Sequence, residues 1–184
     1  MPPMSDSLFK QNYFEIFCLP VSVSPDLQQL KNKNHELQQQ VHPDRFAAAS
    51  EADKRQAMQQ TSLLNQAYKT LKDPVSRLVY MLSLKGVDMN AETDTTMDGA
   101  FLMEQMELRE EIADVRSQAD PLDVLDTLSA DLKNKSADLL QMFEQCYAQD
   151  ELEKAREIVR KLQFLSKAQT EINIISEQLE DELI

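Results

Sequence analysis

A chain of 184 residues has room for one domain or two small ones, each with a modest core. Two glycines, no tryptophan and 6% aromatics make a poor composition for a sheet with tight turns, so an all-α fold is expected. The formal net charge of -13, with no basic aromatic patch, speaks against nucleic acid, whose affinity rests on Lys and Arg neutralising phosphates.

Helical periodicity and capping signals predict seven helices, at about 12–18, 25–41, 51–71, 74–85, 99–116, 121–147 and 150–182. Ser24-Pro25, Asp73-Pro74 and Asp120-Pro121 each put a capping side chain before a proline at the first helical position. Asp150, with Glu153 three residues on, reads as a fourth helix start. Gly86 ends the fourth helix, and the polar, Thr-rich stretch that follows has no periodicity. The expected division is therefore a first domain at 1–85, a linker at 86–98 and a second domain at 99–184. Charge divides at the same place, because residues 86–184 carry nine Lys and Arg against twenty-four Asp and Glu. Long stripes, Leu125, Leu128, Leu132, Leu139, Met142 and Cys146 on one helix and Leu152, Ala155, Val159, Leu162 and Leu165 on the next, predict a three-helix bundle with the helix from Gly99.

His42-Pro43-Asp44 sits in the polar break between two amphipathic helices. Leu27, Leu30, Leu37 and Val41 mark the first of them, and Ala57, Thr61, Leu64, Tyr68 and Leu71 the second. Pro43 fixes its own φ and disfavours helix at His42, so the two helices pair back to back and present His42 and Asp44 together at the bend. A catalytic His-Asp pair would need a nucleophile and a pocket that nothing else in the chain suggests. A chance loop is the bland alternative.

Cys18 and Cys146 form no Cys-x-x-Cys and make a poor disulfide framework, so both read as buried or idle thiols. With two histidines and no clustered ligand spacing, no metal site or cofactor is expected. The N-terminus lacks the pattern of a signal peptide or import presequence, and no apolar run approaches the roughly 20 residues that cross a bilayer. A soluble protein of a reducing compartment is the expectation.

The segment Phe101 to Ile112 carries apolar residues on two sides. At about 100° per residue, Phe101, Leu108, Ile112 and Val115 share the face to be buried. Met103, Met106, Glu110 and Asp114 fall about 140 to 220° around from Phe101, with Leu102 at about 100° and Glu107 at about 240°. An outward apolar cluster rimmed by acids suits a docking surface for a basic partner, with methionine as its adaptable element. The alternative is packing of Leu102, Met103 and Met106 against another helix of the bundle or under the first domain. Phe164 lies off the stripe of its own helix and either extends the patch or widens the core.

The helix before His42-Pro43-Asp44-Arg45-Phe46, and the following helix with Leu64-Asn65-Gln66-Ala67-Tyr68 through Asp73-Pro74, Arg77 and Tyr80, resemble a J-domain. Phe101 to Glu111 and Val159 to Leu165 are similar to the C-terminal domain of the HscB family, the J-type co-chaperones of iron-sulfur cluster biogenesis. The resemblance implies an all-α protein, a J-domain hairpin followed by a three-helix scaffold-binding domain, and no enzymatic activity of its own. It further implies delivery of an IscU-type scaffold to an HscA-type, DnaK-like ATPase whose hydrolysis the chain stimulates. By the family's pattern, His42, Pro43, Asp44, Lys31, Lys33 and Arg45 meet the ATPase. Leu102, Met103, Met106, Glu107, Glu110 and Phe164 match the family's scaffold-binding positions, and Asp114 occupies a position where an acid fits the same role.

The helix before His42 departs from a generic J-domain in its many Gln and Asn residues, with Asn34 and Val41 where aromatics are common, so its basic face is thin. The N-terminal zinc-binding cysteines of some eukaryotic members are absent, which points to a bacterial-type, cytoplasmic protein. A Gly/Phe-rich region and zinc-binding repeats are lacking too, against a general holdase. A J-domain adaptor for another client is the alternative.

Overall fold

The structure, a computed structural model, describes residues 6–42, 49–89 and 99–182. Within them the regular structure is helical: a 3-10 helix at Asp6–Lys10, α1 (Tyr13–Ile16), α2 (Leu27–Val41), α3 (Glu51–Lys72), α4 (Pro74–Leu84), α5 (Gly99–Asp114), a 3-10 turn at Val115–Ser117, α6 (Pro121–Ala148) and α7 (Leu152–Glu182). The chain separates into two compact units, Met1–Met81 and Leu82–Ile184.

In the first unit α2 and α3 form an antiparallel hairpin. Leu30, Leu37 and Val41 of α2 and Ala57, Leu64, Ala67 and Leu71 of α3 are buried, each large one stabilising by about 1.5–3 kcal/mol. Gln38 Nε2 donates to Asn65 Oδ1 at 2.8 Å across the pair. At the end of α2 the Thr61 hydroxyl lies 2.8 Å from the Ala57 carbonyl oxygen and 3.3 Å from that of Val41. Below, Tyr13 stacks on Tyr80 with centroids 4.2 Å apart, and the Tyr13 backbone N–H donates to the Tyr80 hydroxyl at 2.9 Å. Arg77 is the polar tie of this unit: it is buried, its Nε donates to the Val23 carbonyl and its Nη1 to the Leu71 carbonyl near the end of α3. The latter carbonyl belongs to the last helical turn, which has no partner within the helix. Burial pulls the Arg77 guanidinium below its ordinary pKa, and the nearby Asp73 carboxylate opposes that shift.

In the second unit α6 and α7 run antiparallel, with Gln169 Nε2 donating to Ser129 Oγ at 2.9 Å. Ile112 of α5 and Val115 of the 3-10 turn after it join Leu125, Leu132, Leu165, Ala168 and Ile172 in one core. Arg116, just past α5, donates to Glu182 Oε1 at 3.0 Å and to Gln178 Oε1 at 3.2 Å, pinning that corner to the end of α7.

Several local expectations are corrected. Asp26, rather than Ser24, caps α2, its Oδ1 accepting from the Gln29 N–H at 2.9 Å, so Pro25 stands outside the helix. Asp73 and Asp120 cap as expected, accepting from Ser76 and Asp123. Asp150 ends α6 instead of starting α7: its φ is 59°, its N–H donates to the Tyr147 carbonyl, and the Glu151 N–H returns to the Cys146 carbonyl. That pair of bonds closes a helix with one left-handed residue. The same closure follows α4 at Gly86, φ 81°, and α1 at Cys18, φ 55°. Leu27 and Met142, placed on the apolar stripes by spacing, are exposed, while Phe143 is fully buried. Cys18 is exposed and Cys146 half-buried, so neither is a core thiol.

Candidate functional site

Two surfaces carry the residues singled out from the sequence. At the end of the hairpin α2 stops at the buried Val41, and His42 follows it with φ -56° and ψ 128°, exposed to solvent. Helical conformation is lost there because Pro43 disfavours it in the residue before. Pro43, Asp44 and Arg45 lie outside the described residues. Lys31 is exposed on α2, whereas Lys33 lies about 160° from it around the helix and donates to Glu36 Oε2 at 2.9 Å. That hydrogen bond raises the Lys33 pKa above its ordinary value. The two lysines therefore do not share one face, and the charge of Lys33 is already matched within the helix.

The second surface is α5. Its buried side matches the expected face, with Phe101 7% and Ile112 2% exposed and Val115, in the turn that follows, 1%. On the other side Leu102 is 44%, Met103 61% and Met106 60% exposed, and Glu107, Glu110 and Asp114 are exposed beside them. Three large apolar side chains held in water on one short helix are not part of the core, so packing of that trio within the unit is ruled out. The helix that carries them is held from beneath by Phe101 and Ile112, with Val115 buried in the turn that follows, so the cluster is presented to solvent.

Phe164 is half-buried and widens the core, the second of the alternatives raised for it. Its ring meets that of Phe101 edge-on, with centroids 5.8 Å apart and planes at 87°, and it packs at the margin of the core. Above it lies the Arg109 guanidinium, 5.7 Å from the ring centroid. Sequence reasoning missed Arg109 and also Lys161, whose Nζ sits 5.2 Å from the Phe101 centroid. The signal was a cation three residues from Met106 and another three residues from Phe164, which helix spacing alone does not connect to a ring on another helix. Among the described residues no group of three or more His, Cys, Asp or Glu is arranged to hold a metal ion. No described helix is long and apolar enough to cross a membrane.

Comparison with known proteins agrees with this architecture. Residues 97–173 match the family model described as the HSCB C-terminal oligomerisation domain. The chain is 43% identical over 168 residues to the co-chaperone protein HscB homolog of Vibrio cholerae, covering 91% of this chain and 98% of that one. It is 42% identical over 175 residues to the homolog of Shewanella loihica, covering 94% and 99%. Among solved structures, the chaperone HscB from Vibrio cholerae superposes with a TM-score of 0.81 at 40% identity, over 95% of this chain and all of that one. The human co-chaperone HscB also gives 0.81, at 30% identity over 94% and 84%. Fold and relatives together define a co-chaperone of the J-domain type. The chain belongs to the HscB family, the co-chaperones of iron-sulfur cluster biogenesis.

Proposed function

We propose that the chain brings an IscU-type iron-sulfur scaffold to an HscA-type, DnaK-like ATPase and stimulates ATP hydrolysis by that partner, in the bacterial cytoplasm, without catalysing a reaction itself. Residues 1–85 serve as the J-domain and 99–184 as the scaffold-binding domain, joined by 86–98. The ATPase is met by His42, Pro43, Asp44 and Arg45 with Lys31, while Lys33, held by Glu36, contributes only after that bond opens. The scaffold is met by Leu102, Met103 and Met106, with Glu107, Glu110 and Asp114 as the acidic rim and Phe164 at its edge.

The observation that carries this reading is the exposed apolar trio of α5, in a chain whose family is HscB. Apolar surface at the centre of a contact supplies desolvation energy, and carboxylates around it select and steer a basic partner. The test uses three purified proteins. The chain alone should raise steady-state ATP hydrolysis by the HscA-type chaperone, and adding the IscU-type scaffold should raise it further, with direct scaffold binding seen by calorimetry. Stimulation without any scaffold binding would favour a J-domain adaptor for a different client.

A further inference from the structure

The side of α5 that faces α6 is not closed. Leu108 of α5, Leu128 and Leu132 of α6 and Phe164 of α7 line a groove of about 230 Å³. A second cavity, of about 260 Å³, continues it past Ala100, Leu139 and Lys161. Phe101, Glu104, Lys135 and Leu165 line both. Glu104 and Lys135 meet at 3.8 Å between α5 and α6, with side chains 59% and 60% exposed. A pair so long and so wet holds little energy and opens readily. Around the two cavities stand the carboxylates of Glu104, Glu107, Glu111, Asp131 and Asp138 against the ammonium groups of Lys135 and Lys161, with the Arg109 guanidinium over Phe164.

We propose that this groove seats a segment of the scaffold protein that carries an apolar anchor flanked by Lys or Arg; the inference rests on the docking reading above and extends it from α5 to α6. Charge complementarity names the occupant, since the surplus of carboxylates over an apolar floor favours a cationic, partly apolar segment. The groove is also continuous with the docking surface, because Glu107 and Phe164 belong to both. Each of the two cavities is of a size to take one or two side chains. Residues 87–98, which lead into α5, bear Asp88, Glu92, Asp94 and Asp98 and no Lys or Arg, so that segment meets like charge there. A second copy of the acidic half meets like charge as well. On docking, the incoming cation takes the place of Lys135 at Glu104. Lys135 thus acts as an internal competitor, and Asp131 as a specificity contact on a different helix from the apolar trio.

The experiment titrates purified IscU-type scaffold into the full chain, at low and at high salt, and compares three variants. Glu111→Lys with Asp131→Lys should weaken binding about tenfold at low salt and less at high salt. Lys135→Ala should tighten binding a few-fold, an effect that mere damage to the bundle would not produce. Leu102→Ala, Met103→Ala and Met106→Ala together report on the docking reading itself. If that triple variant loses affinity while the double reversal and Lys135→Ala change nothing, the groove is overturned and the docking surface stands. If the triple variant binds as the parent does, the docking reading fails on its own account. Should the double reversal lower the melting temperature, Glu111→Gln with Asp131→Asn gives the same comparison, and an unchanged affinity there overturns the groove.

Discussion

Cys18 holds a left-handed backbone angle, φ 55°, to close α1, although its side chain is exposed and closes nothing itself. Such a conformation costs a non-glycine residue about 1–2 kcal/mol, partly offset in glycine by the greater freedom of its unfolded chain. Cys18→Gly should therefore raise the stability of the first unit by about 0.5 to 1 kcal/mol, read from urea unfolding. Asp150→Gly has no such simple gain, because Asp150 also holds Lys85 at 2.9 Å. His42 is the other residue whose exposure decides an outcome. Replacing it by Gln should leave helical content and scaffold binding unchanged while steady-state stimulation of the ATPase falls to the unstimulated rate. A variant that stimulates like the parent would remove His42 from the proposed contact. The motif around His42 was conspicuous in the sequence, since proline between two periodic segments has few readings. The conformations of Cys18 and Asp150 were not, because only the return of the next backbone N–H to a helix carbonyl shows which residue turns left-handed.

At the scale of one helix, α5 carries two apolar faces of different fate. Truncating Leu102, Met103 and Met106 to Ala should cost little stability, as exposed substitutions usually fall within about 0.5 kcal/mol each. Truncation of central anchors in a contact costs about 2 kcal/mol or more each, so scaffold affinity should drop at least about tenfold, measured by calorimetry beside a melting curve. Glu107→Gln with Glu110→Gln should instead weaken association mainly at low salt, the signature of a screened rim. The wheel separated these faces correctly because α5 is a regular helix with one buried side. The same method misplaced Leu27 and Met142, each of which sits on the apolar stripe of its own helix where the neighbouring helix does not cover it. It also passed over Phe143, fully buried on α6.

For the whole molecule, two compact units imply that a lesion in one need not unfold the other. Arg77 offers the sharpest lesion. Arg77→Ala leaves the buried carbonyls of Val23 and Leu71 without their charged donor, a loss of about 3 kcal/mol or more. In a denaturant titration followed by Tyr80 environment and by total helicity, the first unit should unfold early while a later transition of the second is retained. A single transition shifted as a whole would show that the units unfold together.

What the sequence determined alone was the list of helices, the apolar underside of α5 and the family, because periodicity, capping residues and motif spacing are local and survive without knowledge of neighbours. Helix starts at Asp73 and Asp120 were readable for the same reason. The tertiary structure decided what depends on which helix lies opposite. It alone showed that Phe164 stands edge-on to Phe101 beneath Arg109, and that α5 and α6 leave an acidic groove spanned by Glu104 and Lys135. Those are contacts between side chains whose separation along the chain carries no information about distance in space, so no pattern within one helix could have announced them.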